Sequence, residues 1–385
     1  RCPYPPPRGG IRPIACGEVL RKLVAKTICL QEADRFQPHF CSEAVAGEVA
    51  AVTQVGVAVP GGVDRVVHQT RVLLESRPDW VVVKVDAKNA FNTLSRRAMV
   101  ASVRQHFPGL APFTDLCYEE PTPLFFRCER GHARLESREG THQGDPLGCF
   151  YLSLPLHDVL RALHSEHPEV VISAYIDDVF LVGPREEVAA AYRDLVGRME
   201  RSLGLTSQAR KCAVYSPAGG IPPGLFPAGM PGADGGAAVG IEILGIPVGT
   251  DAYVCDFAER RVRQLDQVIP ALSHLRDPQV QYLLLRCCAN ARVSHLLRGI
   301  DPPHPGGARG CRARSRCVGG APGNPARRPP VGEVADGGSS PHPPGWAGPA
   351  LGGAHRPRGL PWLLGLGHGP PGGVVPPPPG CGAGR

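Results

Sequence analysis

The apolar positions of this chain fall into short blocks that alternate between strand and helix periods. Val170-Val171-Ile172-Ser173-Ala174 and Val179-Phe180-Leu181-Val182-Gly183 are β-branched or aromatic runs of strand length. Tyr175-Ile176-Asp177-Asp178 separates them, so the pattern predicts an apolar hairpin with two adjacent carboxylates at its turn. Trp80-Val81-Val82-Val83-Lys84-Val85 predicts a buried strand ending at Asp86, and residues 124–128 and 133–137 predict a second hairpin around Arg130-Gly131. Asp145-Pro146 predicts a helix start, with Asp as N-cap and Pro at the first helical position. That helix carries Leu152, Leu156, Val159, Leu160 and Leu163 on one face. Val188, Tyr192, Leu195, Met199 and Leu203 mark a second amphipathic helix, stopped by Gly204. A Gly/Pro-rich loop spans residues 219–240, and residues 241–254 predict a hairpin. Helices are expected from near Asp256 and from Gln279 to Leu297. Helices packed on an antiparallel sheet make this an α+β fold.

Composition divides the chain in two. After Ile300, roughly half the residues are Gly or Pro with no sustained period, so residues 301–385 are expected to be disordered. That stretch is dominated by Gly, Pro, Ala and Arg and lacks Lys, which suits either an out-of-frame reading of GC-rich coding sequence or a basic linker. It also holds nine Arg against Asp301, Glu333 and Asp336, most of the formal net charge of +7. The first 300 residues are nearly neutral, with 33 basic and 32 acidic groups, so nucleic-acid binding would need a local patch.

The 385 residues have room for two or three subdomains, and a start at Arg1 suggests a fragment. No apolar run approaches membrane-spanning length and no signal-peptide pattern opens the chain, so an intracellular, soluble protein with no membrane partner is expected. The 14 cysteines show neither C-x-x-C pairs nor zinc spacing and read as reduced thiols.

Asp177 and Asp178 repel each other, and a divalent cation would compensate their charge. An ordinary solvated turn is the alternative. Asp86 at a strand end is costly unless paired or metal-bound, or it caps the helix that follows. A sheet bringing three carboxylates together would suit phosphoryl transfer on two divalent ions about 4 Å apart.

The blocks around these residues resemble the reverse transcriptase domain of non-LTR (LINE-type) retrotransposons over residues 11–300. They run in order as Arg12-Pro13-Ile14, Gln54-Val55-Gly56-Val57 with Pro60-Gly61-Gly62-Val63, and Asp86 to Asn92. Glu139 to Leu147, Ala174-Tyr175-Ile176-Asp177-Asp178, Gly204-Leu205 leading to Lys211-Cys212, and Leu244-Gly245-Ile246-Pro247 follow. Ile176 stands where the family usually has Ala, His142 where Gln or Arg is more usual, and Gln208 where Asn is common.

The resemblance implies a right-hand polymerase with fingers at 1–79 and a ferredoxin-like antiparallel palm at 80–255. A finger-associated insertion would cover about 105–140, a helical thumb would begin at 256–300, and 301–385 would be the tail. It implies RNA-directed DNA polymerase activity, with Asp86, Asp177 and Asp178 holding two Mg2+ ions (Mn2+ as a substitute). Lys211 would protonate the leaving pyrophosphate. Arg12, Ala87, Phe91, Gln143, Gly144 and Tyr175 would contact the nucleotide, Phe91 as the gate against a 2′-hydroxyl. Leu244 and Gly245 would form the primer grip, and helices bearing Arg286, Arg292 and Arg298 would track the duplex. The implied partners are an RNA template, a DNA primer or target, and dNTPs. The implied location is nuclear, after a cytoplasmic ribonucleoprotein stage. Three rivals stay open: a decayed nucleic-acid-binding remnant, an intron-encoded maturase and an RNA-dependent RNA polymerase.

Overall fold

The computed structural model describes residues 17–41, 52–128, 131–233 and 238–300. The expected tail and Arg12 lie outside the described residues. All described residues belong to one compact unit.

Two helices lead, α1 (Val19–Gln31) and α2 (Ala33–Phe40), followed by the short strand β1 (Val52–Gln54) and helix α3 (Gly62–Ser76). The valine run forms β2 (Val81–Val85), and a single helical turn, α4 (Ala90–Thr93), follows it. Helices α5 (Arg96–His106) and α6 (Ala111–Tyr118) and the ribbon β3 (Thr122–Cys128) and β4 (Gly131–Ser137) then form an insertion before the long helix α7 (Gly148–Glu166). The apolar hairpin is β5 (Val171–Tyr175) and β6 (Asp178–Gly183). Helix α8 (Arg185–Leu203) follows and ends where Gly204 takes φ +68°, as its Gly stop signal requires. Strand β7 (Ala213–Tyr215) leads through the Gly/Pro-rich loop to the hairpin β8 (Gly240–Ile243) and β9 (Ile246–Gly249). Helices α9 (Asp251–Ser273), α10 (Pro278–Leu284) and α11 (Asn290–Gly299) close the described chain.

The central sheet has the order β1-β5-β6-β2-β7. Within it, β2, α7, β5, β6, α8 and β7 make a β-α-β-β-α-β unit with antiparallel pairing of β2 to both β6 and β7. This is the ferredoxin-like antiparallel architecture that was expected. Strand β1, from the segment expected as fingers, adds to its edge parallel to β5.

Alternation along the strands divides the core. Val81, Val83, Val85, Ile172, Ala174, Val179, Leu181 and Val214 join the larger core with α7 and α8, while Val82, Phe180, Val182 and Tyr215 pack with α3 and the β8–β9 hairpin.

Four expectations need correction. Helix α7 begins at Gly148 rather than at Pro146: Asp145 Oδ1 does accept the Leu147 N–H at 2.9 Å, but the turn it opens closes from Gly148 N–H to Asp145 O before the α-helical bonds begin. Its burial is not confined to one face: every residue from Phe150 to His157 is buried, since the insertion covers the side away from the sheet. The last hairpin stops at Gly249, and α9 starts at Asp251 because Thr250 caps it through its hydroxyl, accepting from the Tyr253 N–H at 3.4 Å. The final helix is interrupted by a π turn at Leu285–Ala289.

Buried polar groups mark where α2, α5 and α7 meet. His157 is 2% exposed, and its Nδ1 has no hydrogen-bond partner. Its ring centroid is 5.7 Å from that of His39, which lies 4.8 Å from His106. Burial first, then the charges of His39 and Arg161, push the His157 pKa down to about 4. An unfolded chain would protonate His157 near pH 6.5, whereas the fold resists protonation until about pH 4. The stability it contributes is therefore complete above pH 6.5 and is lost as pH falls towards 4. Urea denaturation at pH 7 and pH 5 should show a loss of about 2 kcal/mol from this group alone. A His157→Gln variant should lose correspondingly less between the two pH values.

Candidate active site

The β2–β6 pairing runs from Val81 opposite Gly183 to Val85 opposite Val179, so the next residues, Asp86 and Asp178, face one another. Lys84, Asp86 and Asp178 lie on the same sheet face, at the end that α3 and the β8–β9 hairpin leave open. Lys84 Nζ stands 3.6 Å from Asp178 Oδ1, and Lys211 Nζ stands 4.0 Å from Asp86 Oδ2. Asp86 Oδ2 is buried with no hydrogen bond. Burial raises the Asp178 pKa; Lys84 opposes the rise and the Asp86 charge adds to it.

Asp177 is the second of the two turn residues. Its charge adds to burial in raising the Cys149 thiol at the start of α7. Among the described residues, no three Asp, Glu, His or Cys side chains stand grouped so as to hold a metal ion. What the fold brings together is Asp86 with Asp178, and Asp177 directly precedes Asp178 in the turn. A buried carboxylate oxygen without a hydrogen bond, opposite a second carboxylate across the β2–β6 pairing, suits a hard divalent cation with oxygen ligands. Asp86 does not cap a helix: Asn89 holds that position for α4.

The segment after Asp86 is tied to the block before Lys211. Lys88 N–H donates to Thr206 O at 2.8 Å, Gln208 N–H donates to Asp86 O at 3.1 Å, and Ala87 bridges Ser207. Ala87 is buried, while Phe91 is half-buried in α4. Tyr175 pairs with Asp178 across the hairpin, and burial raises its phenol pKa.

The Gln143 loop is tied to α4 from the other side. Thr141 N–H donates to Phe91 O at 2.6 Å, and Gly140 N–H donates to Leu94 O at 2.8 Å. Gly140 has φ +69°, and a Cβ there would lie 2.2 Å from Phe91 O, so only glycine allows this approach. Phe91 thus sits beside the loop bearing half-buried Gln143 and exposed Gly144.

Cations that the sequence did not single out hold this loop. Arg21 pairs with Asp145 at 3.0 Å and lies 4.7 Å over the Tyr118 ring. Arg96 is buried, donating from Nε to Gly140 O at 3.0 Å and from a terminal nitrogen to Ser137 Oγ at 2.8 Å. A shallow cleft there is lined by Arg21, Lys22, His142, Gly144 and Asp145. Lys84 carried a signal that could have found it, being the polar residue two positions before Asp86 in a valine strand.

At the opposite hairpin, Leu244 and Gly245 form the tip with φ +49° and +84°. Leu244 O accepts from His295 Nε2 at 3.0 Å. Gly245, Arg261, Leu265, Arg292 and His295 line a cavity of about 420 Å3 between this tip and helices α9 and α11. Of the three arginines expected to track a duplex, Arg298 is exposed and ion-paired with Asp64 of α3. Arg286 and Arg292 are exposed.

Residues 4–248 match the family model for reverse transcriptase (RNA-dependent DNA polymerase). The retrotransposable element SLACS 132 kDa protein of Trypanosoma brucei gambiense is 26% identical over 252 residues, covering 62% of this chain and 20% of that protein. The chain thus spans about a fifth of that relative's length. Solved structures with a similar course include apo telomerase from Candida tropicalis truncated from its C-terminal domain, at 11% identity and TM-score 0.40 over 59% of this chain and 44% of that one. Telomerase from Candida albicans in complex with a fragment of telomeric RNA gives 13% identity and TM-score 0.40 over 73% and 46%. The chain belongs to the reverse transcriptase family.

Tyr118 is the keystone of the Gln143 loop, donating to Asp145 Oδ2 at 2.6 Å and accepting from the His142 N–H at 3.2 Å. Tyr118→Phe should cost about 1–3 kcal/mol, because a buried carboxylate and a buried N–H both lose a partner. Chemical denaturation at pH 7 measures it, and an unchanged midpoint would show that the loop is held without the phenol.

Proposed function

We propose that this member of the reverse transcriptase family is the polymerase of a non-LTR retrotransposon, extending a primer 3′-hydroxyl with dNTPs on an RNA template. The observation that carries the reading is the pair Asp86 and Asp178 at one open end of an antiparallel sheet, with Asp177 in the adjoining turn. Asp86, Asp177 and Asp178 would hold two Mg2+ ions, with Mn2+ as a substitute. When bound, such ions lower the pKa of the attacking 3′-hydroxyl and take up charge on the departing pyrophosphate.

The chain's own residues supply the rest. Lys84 and Lys211 balance the two carboxylates before substrate arrives, and Lys211 is exposed enough to move aside. Lys211 Nζ then delivers a proton to the leaving pyrophosphate. Phe91 excludes a 2′-hydroxyl by bulk, Ala87 and Tyr175 contact the nucleotide with Gln143, and Gly144 lets the backbone approach it. Arg12 clasps the triphosphate from outside the described residues. Leu244 and Gly245 hold the primer end, with Arg286, Arg292 and Arg298 along the duplex backbone. Catalysis is positioning plus electrostatics, as phosphoryl transfer requires. The working partners are an RNA template and a DNA primer or target, and the working location is the nucleus.

The test is magnesium-dependent primer extension on an RNA template. Asp177→Asn with Asp178→Asn should remove several kcal/mol of transition-state stabilisation, a loss of roughly 10³-fold or more. Activity surviving that double change would sink the assignment. Lys211→Ala should lower kcat by about 10²-fold with little change in the KM for dNTP. Preferential ribonucleotide incorporation would instead favour an RNA polymerase.

A further inference from the structure

The turn that carries Asp177 and Asp178 is held from outside its own hairpin. Ile176, the first turn residue, has φ +61°, a conformation that is strained for a β-branched side chain. Its backbone N–H and C=O are both taken by one side chain, that of Gln54 at the end of β1. Gln54 Oε1 accepts from the Ile176 N–H at 2.8 Å, and Gln54 Nε2 donates to Ile176 O at 2.9 Å. The same Oε1 accepts from the Gly56 N–H at 3.1 Å. The reverse amide orientation would set oxygen against oxygen and N–H against N–H, so these contacts fix which way the amide points.

Gln54 is 0% exposed, so its amide has no water to exchange these bonds with. Strand β1 otherwise ends its pairing with β5 at Val55 N–H to Ala174 O, 2.8 Å. The amide therefore continues the ladder one residue further, where the β5 edge turns away. Gly56 completes the seat: a Cβ there would lie 2.6 Å from both Ile176 N and Ile176 Cγ1.

We propose that Gln54 is a positioning residue for the polymerase centre, clamping the Ile176 peptide so that Asp177 and Asp178 keep the orientation that metal binding needs. Asp177 follows directly from the clamped carbonyl, and Asp178 pairs with Tyr175 on the other side of the turn. Releasing the clamp lets Ile176 relax from its strained φ, and the carboxylates turn with it. This inference rests on the polymerase reading for its catalytic consequence, while the clamp itself is testable without activity.

Gln54→Leu keeps the buried volume and deletes all three hydrogen bonds. Amide exchange at Ile176 should accelerate by at least about tenfold while β2 and β6 stay protected. In primer extension, kcat should fall by up to about 10²-fold, the KM for dNTP should change by less than about threefold, and half-saturation should need more Mg2+. In an Ile176→Gly background the loss from Gln54→Leu should shrink, because relief of strain no longer drives the turn away. If Gln54→Leu folds poorly, Gln54→Glu serves: it keeps the acceptor for the Ile176 and Gly56 N–H groups but opposes Ile176 O. The Ile176 amide should then stay protected while kcat falls by about tenfold. Ile176 exchange in Gln54→Leu equal to that of the parent overturns the inference. So does a kcat loss that only tracks the unfolded fraction, with the Mg2+ requirement unchanged. A parent chain inactive in primer extension would remove the polymerase reading, and the Ile176 exchange would still decide on the clamp.

Discussion

Everything at the candidate centre depends on the register between β2 and β6. Five consecutive pairs of mostly apolar residues lock it, and both faces of the two strands are buried at Val81 to Val83 and Val179 to Val182. A slip by one residue would exchange the two faces, sending Val83, Val85 and Leu181 out of the core beneath α7 and α8. Burial therefore sets the register, and the register sets Asp86 against Asp178. The electrostatic cost of that placement is local. It is met by Lys84 and Lys211 and by the openness of the sheet end, while hydrophobic packing a few residues away supplies the rigidity.

The insertion between β2 and α7 extends the same logic outward. It brings the Gln143 loop against α4 through backbone contacts that require glycine at position 140, and it fixes that loop with charged groups carried into the interior. Arg96 is buried, yet its donors meet Gly140 O and Ser137 Oγ, and the Tyr118 ring lies 5.2 Å from its guanidinium. Arg21 and Tyr118 converge on Asp145, whose side chain is 4% exposed. Such a network is stabilising only when every member is satisfied, and its main effect is to permit one arrangement. It also keeps His142 neutral, its pKa pushed down to about 4 by burial and by the two arginines.

The strands and helices with clear periods were legible because one period dominates each of them. The valine run before Asp86, the hairpin around Asp177 and the helix stopped by Gly204 all formed near where the pattern put them. The misplacements arise where the local signal is incomplete. Asp145 accepts the Leu147 N–H as a cap would, yet the turn it opens closes at Gly148 before the α-helical bonds begin. The apolar stripe expected on α7 became all-round burial because the insertion packs on its far side. Lys84 was hidden in the same way: in a strand of valines it reads as a break in the pattern, and only the register shows that it points at a carboxylate.

Ile176 shows how these levels combine. A turn with a positive φ at its first position ordinarily takes glycine, and a β-branched residue there costs on the order of 1–3 kcal/mol. Strain of that size persists only where surrounding contacts over-determine the conformation. Here the contacts are identifiable: the two strands fix both ends of the turn, Gln54 takes both polar groups of the strained peptide, and Gly56 leaves room for the side chain. The departure at Ile176 and the Gln54 and Gly56 positions more than a hundred residues earlier are thus one feature. A bulky residue in the turn needs an outside clamp, and with that clamp the turn holds fewer alternative conformations than a glycine would allow. The carboxylates that follow inherit that restriction, which is what a site built on positioning requires.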